Sequence, residues 1–386
     1  MEVDHDLSYA KRKLTQARIE DGDAYPIFQS LTLNEGQEDI CLLQLNNELM
    51  AELEAKNSLI IRGEPDESAV LCTKSRTYEL REAETSNSLL LVPNLLMPDQ
   101  CSSGEERIAP QEVSGIFHTY FELRSIKPSF KKLRAVLERS SYKGKEYEDD
   151  SITDDKLTFD HLLDIIQCSE EELIAELTEM QTCIINGFVR VLDFDYKFSV
   201  FSQILEVIES QSLPIDKIPK ETVLSALEDL EPKQILEDCF SWFTEETVDE
   251  ENGHKLYSLR ELPVCRIYAE ILLRSSGKFH LEDFLESWQR SVPEGMTCNL
   301  EQLRGIALTD LLNRPAVIFY FPMHDLPENV SERFEHLFRI KEKWSYDEIV
   351  PFLEDRASAV TNVKALLIKY TRESTKNGIK YYSSKW

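Results

Sequence analysis

The feature that most restricts the fold of this chain is a pattern of two short amphipathic helices followed by a strand or a hairpin. It is clearest in residues 158–192. Apolar residues from Phe159 to Ile166 recur with the spacing of one helix face. Ser169, three residues before Glu172, has the capping-box spacing that opens a second helix. Two apolar runs then meet at Asn186-Gly187, a dipeptide typical of tight hairpins. This order predicts a winged-helix unit.

Weaker copies of the pattern follow in residues 223–259, 281–321 and 334–382. In the third copy of the four, the residues from Leu300 to Leu311 predict the second helix. In the last copy, Ser345 and Glu348 have capping-box spacing. One helix pair is common in proteins, but several in tandem, each followed by a strand, indicate a repeat. The residues alone therefore predict four tandem units.

The N-terminal part has a different character, because short apolar runs alternate with turn residues over 31–98. The predicted strands are 40–45, 58–62, 69–73, 77–80 and 88–92. These strands have few partners inside the segment. Either another chain completes their edges, or they form a small self-sufficient sheet. In the first case, the docking residues would be Leu42, Leu43, Leu45, Leu59, Ile60, Ile61, Val70, Leu71, Tyr78, Leu89, Leu90 and Leu91.

Charge is distributed unevenly along the chain. The net charge is −28, which disfavours non-specific contact with nucleic acid or anionic membranes. Residues 356–386, however, contain seven basic residues and one acidic residue. Lys and Arg at this end could neutralise DNA phosphates, or they could form a solvated face. The DNA-binding candidates are Lys364, Lys369, Arg372, Lys376, Lys380 and Lys385.

Three aromatic residues accompany this basic end. Tyr381, Tyr382 and Trp386 could stack on bases, but a place in the core is the favoured interpretation.

The second helix of the first unit has the opposite charge, with Glu170, Glu171, Glu172, Glu176 and Glu179 and no basic residue. Such a helix would repel phosphate, so this unit is expected to bind protein. Phe188 and Arg190 on its hairpin are candidate contacts, although Phe188 could equally belong to the core.

Signals for catalysis are weak. Gly277-Lys278 lacks the other residues of a phosphate loop, and the eight cysteines have no zinc-type spacing. We therefore expect no catalytic residues, no metal and no cofactor. A hydrolase that uses the acidic pairs Asp149-Asp150 and Asp154-Asp155 is a third hypothesis. No signal peptide or membrane span is expected, and the cysteine usage suits a reducing compartment.

Several blocks of the sequence resemble a known family. They are Leu42-Leu-Gln-Leu-Asn-Asn-Glu-Leu-Met, Leu59-Ile-Ile-Arg-Gly, Ala69-Val-Leu-Cys-Thr-Lys-Ser-Arg-Thr-Tyr-Glu-Leu-Arg81 and Ser86-Asn-Ser-Leu-Leu-Leu-Val92. Together with Asp355-Arg-Ala-Ser358 and Lys369-Tyr-Thr-Arg372, they are similar to the Dcc family of sister chromatid cohesion proteins. The resemblance runs along nearly the whole chain.

The resemblance implies a non-catalytic accessory subunit of the alternative replication factor C clamp loader, which acts on the PCNA sliding clamp in the nucleus. Its β-domain would complete a triple-barrel shared with the large and small chromosome transmission fidelity subunits. The barrel and the neighbouring winged helix would bind the catalytic subunit of DNA polymerase epsilon, through candidates such as Phe188 and Arg190. The C-terminal winged helices would contact DNA, and the ATPase motor would belong to other subunits.

The expected fold class is α+β, a small β-domain followed by tandem winged helices. Since the resemblance implies three winged helices rather than four, 209–322 is interpreted as one unit with extra helices. The divisions are a mobile tail 1–30, a β-domain 31–98, a linker 99–112 and winged helices at 113–208, 209–322 and 323–386. Phe117, Tyr120, Phe121 and Leu123 predict a helix directly after the linker. The alternative function is a stand-alone winged-helix transcription or chromatin regulator.

Overall fold

The computed structural model describes residues 7–18, 27–33, 40–65, 67–97, 107–148, 156–248, 255–311, 314–357, 362–376 and 378–385. The chain divides into two compact units. The N-terminal unit comprises residues 1–126 and 167–171, and the C-terminal unit comprises residues 127–166 and 172–386. Over the described residues the protein is mixed α and β, with thirteen α-helices and six separate sheets, none of them closed.

The N-terminal unit is mainly β. Its elements are α1 (Leu7–Gln16), β1 (Ile27–Leu33), β2 (Leu43–Gln44), α2 (Asn47–Glu54), β3 (Ile60–Arg62), β4 (Val70–Cys72), β5 (Thr77–Leu91), β6 (Arg107–Val113) and β7 (Gly115–Ile126). Five strands form an open sheet in the order β2-β7-β5-β4-β3, so that β3 is an edge strand. A small core holds this sheet to α2 through Leu49, Leu71 and Tyr78.

The longest element of this unit is a ribbon of β5 and β7. The two separate strands predicted at 77–80 and 88–92 are one strand, with a register shift between Glu84 and Leu89. The helix predicted after the linker is also wrong, because Phe117 to Leu123 lie in β7. Pairing with β5 along nearly its whole length satisfies the backbone of β7, and this long-range contact overrides the local apolar spacing.

The stretch expected to be a linker is partly a strand. Residues 107–113 form β6, which pairs in parallel with β1. The rest of that stretch, 99–106, lies outside the described residues. Helix α1 lies where a mobile tail or weak helix was expected.

The C-terminal unit contains four successive modules with one element order: a helix, a first strand or single bridge, two helices or helical turns, and a hairpin. In each module the third strand, which is the second strand of the hairpin, lies in the middle of the sheet, between the first strand and the second. The four modules agree with the count from the residues. The stretch 209–322 contains the elements from α7 to β14, which are most of two modules.

Modules 1 and 2 use a single bridging residue as their first strand. Module 1 consists of α3 (Lys131–Arg139), the bridge Leu157, α4 (Phe159–Ile166), α5 (Glu170–Glu179), β8 (Thr182–Ile185) and β9 (Phe188–Val191). Module 2 consists of α6 (Phe194–Ser210), the bridge Ile218, α7 (Lys220–Leu227), α8 (Lys233–Phe243), β10 (Thr244–Val248) and β11 (Lys255–Leu259). The turn of the first hairpin has positive φ at Asn186 and Gly187, as its dipeptide predicts.

Modules 3 and 4 have complete three-stranded sheets. Module 3 consists of α9 (Glu261–Ser276), β12 (Lys278–His280), α10 (Leu281–Ser291), a 3₁₀ turn (Leu300–Leu303), β13 (Ala307–Asp310) and β14 (Val317–Tyr320). Module 4 consists of α11 (Val330–Ile340), β15 (Lys343–Ser345), α12 (Tyr346–Ile349), a 3₁₀ turn (Val350–Phe352), α13 (Val363–Tyr370), β16 (Thr371–Lys376) and β17 (Ile379–Ser384). The helix predicted from Leu300 to Leu311 is therefore only a 3₁₀ turn and a strand, whereas the capping box at Ser345 is confirmed.

Packing and polar contacts join the modules. One core runs through modules 1, 2 and 3, and it includes the stacked pair Phe201 and Phe243. Glu328, just before α11 of module 4, contacts the start of module 1: it accepts hydrogen bonds from the Ser129 hydroxyl at 2.5 Å and from the Lys131 backbone N–H at 3.2 Å. The first and last modules are therefore in direct contact.

Candidate interaction surfaces

A metal-binding centre has no candidate in the described part of the chain. No group of three or more His, Cys, Asp or Glu side chains there could hold a metal ion. The acidic pairs Asp149-Asp150 and Asp154-Asp155 lie outside the described residues. No described helix is long and apolar enough to cross a membrane.

The six basic candidates all lie in module 4 or its last residues, and five of them are exposed. Lys385 is partly buried and donates to the Lys369 carbonyl at 3.2 Å. Lys380 forms an ion pair with Glu373 at 2.8 Å, which neutralises part of its charge. Over the described residues, Lys364, Arg372 and Lys376 have no carboxylate within 4.0 Å. Lys369, whose ammonium lies over the Tyr370 ring, has no carboxylate partner among the described residues either, so four of the six candidates are unpaired cations.

The hairpin of module 4 divides the basic residues between two faces. Arg372 and Lys376 alternate with Glu373 along β16, so they point to the opposite side of the sheet. Glu373 lies opposite the buried Tyr382, on the side that faces the core. Lys380 shares that side, next to Lys364. The sequence placed all these residues in one set, but their side chains form two separate groups.

A groove of about 450 Å³ lies between Lys364 and Lys380. Its walls are partly apolar, and Ile368 on α13 is 77% exposed beside it. Ile368 was not among the candidates, although its place one helical turn after Lys364 puts both on one face. Tyr382 at the groove is 8% exposed and belongs to the core of the module, as favoured for the aromatics. Trp386 lies outside the described residues.

Module 1 presents an acidic helix with apolar side chains between the carboxylates. Glu170, Glu171 and Glu179 on α5 are exposed. Ile174 on α5 and Ile184 on β8 are exposed too, and they line a groove of about 540 Å³. The remaining residues of this groove are Phe159, Leu177, Thr178, Thr182, Val189, Gln234, Asp238 and Trp242. An apolar groove with acidic surroundings suits a partner segment that carries apolar and basic residues.

Arg190 does not belong to that surface, contrary to its choice as a contact. It is 3% exposed, and its guanidinium donates to both carboxylate oxygens of Glu148 at 2.8 and 3.1 Å and to the Ser140 carbonyl. Lys156 pairs with the same carboxylate at 2.8 Å. The hydrogen bond from Arg190 is the main cause that lowers the pKa of Glu148. Arg190 is therefore a structural residue of module 1, and Phe188 is half-buried.

The docking candidates of the N-terminal unit separate into buried and exposed residues. Val70, Leu71 and Tyr78 are buried within the unit itself. The partly buried candidates are Leu42, Leu43, Leu45, Leu59 and Leu91. Those left exposed are Ile60 and Ile61 on the edge strand β3 and Leu89 and Leu90 on β5. Ile116 on β7 lies opposite Leu90 and is exposed as well, although the sequence did not single it out.

Comparison with known proteins decides the family. The model of the family described as sister chromatid cohesion protein Dcc1 matches residues 40–353. The chain belongs to this family. It is 38% identical to the mouse sister chromatid cohesion protein DCC1 over 392 residues, which cover all of this chain and 96% of the mouse protein.

The human protein of the same name is 40% identical over 90% of this chain and 88% of its own length. The zebrafish protein is 39% identical over 98% of both chains. The Dcc1 family match includes the five-stranded sheet and modules 1 to 3. It ends before Lys364, so the six DNA-binding candidates lie beyond the matched range.

Proposed function

We propose that this protein acts in sister chromatid cohesion as a non-catalytic subunit of the alternative replication factor C clamp loader, in the nucleus. The observation that carries the proposal is the family match, together with relatives named sister chromatid cohesion protein along almost the whole chain. In this proposal the chain contributes contacts, and the other subunits supply ATP hydrolysis and handle the PCNA clamp.

The N-terminal sheet is our candidate for docking to the large and small chromosome transmission fidelity subunits. Its edge strand β3 has exposed apolar side chains, with Ile61 at 64% exposure. An exposed apolar edge strand favours pairing with another chain. A partner strand that continues this open sheet would fit the triple-barrel that the family resemblance implies.

The four modules are our candidates for winged helices with different ligands. Their element order and their first-third-second strand order support this assignment. The acidic, partly apolar surface of module 1 suits the catalytic subunit of DNA polymerase epsilon. The free cations of module 4 suit DNA, through phosphate contacts that do not depend on sequence.

Co-purification of the tagged full chain from cells tests the proposal. The clamp-loader subunits should appear in stoichiometric amounts, and Ile61→Lys should reduce them strongly because it places a charge in the apolar contact. Leu230→Lys is the matched control, since Leu230 in module 2 is also 64% exposed. Wild-type chain that purifies without clamp-loader subunits, or with transcription factors in their place, contradicts the proposal.

A further inference from the structure

All four modules contribute to one cavity of about 660 Å³. Its walls include α3, α6, α9 and the 3₁₀ turn of module 4, so the cavity is a product of the whole array rather than of one module. Its volume lies within the range of about 300–1,000 Å³ that is typical of small-molecule sites.

The wall formed by modules 2 and 3 is rich in cations. Arg266, Glu270 and Arg274 are spaced four residues apart on α9, so they share one face of the helix. Lys197 on α6 and Arg304 before β13 line the cavity too, and Arg304 pairs with the exposed Glu301 at 3.3 Å. Three of the four cations are arginines, whose guanidinium groups match the geometry of phosphate oxygens.

The carboxylates on this wall are already engaged. Glu270 pairs with Arg274 at 2.8 Å and accepts a hydrogen bond from the Tyr320 hydroxyl at 2.9 Å. Asp193 accepts the backbone N–H of Asp195 at the start of α6. Neither carboxylate forms an ion pair with Lys197 or Arg266.

Lys197 and Arg266 are therefore cations without a carboxylate partner within 4.0 Å in the described structure. The Lys197 ammonium donates to the side-chain oxygen of Gln181 at 3.2 Å, and Arg266 donates only to the Arg304 carbonyl at 3.4 Å. Burial lowers the pKa of both side chains. The nearest favourable charge is Glu270, which is already paired with Arg274. These partly buried charges are therefore only partly compensated, and they favour an anion from outside the chain.

The opposite wall restricts what can enter. Glu138, Glu179 and Glu354 line it and are exposed, and Arg134 is engaged by Glu176. These exposed carboxylates repel an extended polyanion. A DNA duplex is also far larger than 660 Å³. The arrangement therefore favours a compact anion held against one wall.

We propose that this cavity is a binding site for a compact phosphate-bearing anion, contacted by Lys197, Arg266, Arg274 and Arg304. The phosphate groups could belong to a free metabolite or to a phosphorylated side chain of a partner, since the recognising chemistry is the same. This site is separate from the DNA surface proposed for module 4 and does not depend on it.

Calorimetric titration of the full chain with inorganic tripolyphosphate tests the site. One equivalent should bind to the wild type, and Lys197→Gln and Arg266→Gln should each weaken binding by about tenfold or more, because each removes a charge-assisted hydrogen bond. Lys233→Gln is the control, since Lys233 in α8 has a 73% exposed side chain outside the cavity. Equal affinities in all four proteins, or no binding to the wild type, overturn the proposal.

Thermal unfolding gives a second readout that does not require binding. Without ligand, Lys197→Gln and Arg266→Gln should melt at the same temperature as the wild type or higher, because they remove partly buried charge that Glu270 compensates only in part. Tripolyphosphate should raise the melting temperature of the wild type and the control only. Variants that melt lower without ligand and still respond fully to tripolyphosphate overturn the assignment. Titrations with inositol hexakisphosphate and with a phosphoserine peptide then distinguish the two sources, and tighter binding identifies the natural one.

Discussion

Modules 1 and 4 have the same element order and the same strand order, yet their second long helices carry opposite charge. Helix α5 exposes Glu170, Glu171 and Glu179, whereas α13 exposes Lys364 and Lys369. In both helices the buried positions are leucines that pack into the module. Packing therefore determines the buried face and leaves the solvent face free to vary. This difference in surface charge is the basis of our proposal that module 1 binds protein and module 4 binds DNA.

The largest effect should come from the buried arginines, which the two modules have in common. Arg190 in module 1 binds Glu148, and Arg333 in module 4 binds Asp355 and the carbonyls of Pro327 and Phe352. Arg190→Met and Arg333→Met should each lower the free energy of unfolding by about 3 kcal/mol, since one buried partner is removed. Chemical denaturation measures this.

The control for these variants is Arg290→Met, because the Arg290 side chain is 76% exposed in its pair with Glu286. Its loss should stay below about 1 kcal/mol. If the three variants are equally stable, the buried pairs do not support the modules as we infer.

Charge reversal in module 4 should have the next largest effect and should separate it from module 1. Replacing Lys364, Arg372 and Lys376 with Glu should weaken binding to any DNA sequence by about 100-fold at low salt and flatten the salt dependence. Fluorescence anisotropy with two unrelated DNA sequences measures both effects. The control replaces the exposed cations Lys217, Lys233 and Arg290 with Glu, which changes net charge equally. The same loss in the control would mean that total charge, not module 4, governs DNA binding.

Substitutions at one exposed isoleucine in each module should distinguish the ligands of modules 1 and 4. Ile174→Lys should weaken binding to the catalytic subunit of DNA polymerase epsilon by about tenfold, because it charges the apolar groove of module 1. Ile368→Lys should leave that binding unchanged and strengthen DNA binding slightly. Pull-down and anisotropy on the same two variants check both statements. Loss of polymerase binding in Ile368→Lys would show that the polymerase contacts module 4, and our assignment to module 1 would be wrong.

A smaller effect should appear in acid. The Arg190 hydrogen bond lowers the pKa of Glu148 in the folded chain, so the unfolded chain takes up more protons below the ordinary Glu range. The stability that Glu148 contributes is therefore present above about pH 4.5 and is lost as the pH falls further. Glu148→Gln should flatten this part of the pH dependence of the melting temperature. If the melting temperature of the wild type and of the variant changes equally with pH, the Glu148–Arg190 pair does not have this role.

Local signals predicted much of the C-terminal unit. Capping and hairpin residues such as Ser345 and Asn186 determine the structure of only a few neighbouring residues, so the sequence predicts their effects. Helix α6 was missed, although its buried residues Val200, Phe201, Ile204 and Ile208 have regular helical spacing. That signal was present and could have been found. The count of four units from the residues matches the four modules of the structure, and the three winged helices that the resemblance implies stay a prediction.

The surfaces were harder to predict than the elements. Arg190 is charged and lies on a hairpin, so the sequence suggests a contact, but its partner Glu148 is 42 residues away. The two faces of the module 4 hairpin likewise follow from strand register, which residue order does not reveal. In the N-terminal unit, the local apolar spacing predicts a helix at β7, because the strand that pairs with it, β5, is distant in sequence.

The contact of Glu328 with Ser129 and Lys131 also affects how the chain is made. Lys131 and Glu328 are 197 residues apart in sequence. Helix α3 therefore cannot contact Glu328 until most of the chain has been synthesised. At about 5–20 residues per second, the delay is roughly 10–40 seconds. During this time the N-terminal sheet has already left the ribosome, while the four modules have not yet formed the contact between the first and the last. If the sheet docks partner subunits as we propose, they can bind a nascent chain before its last module has been synthesised.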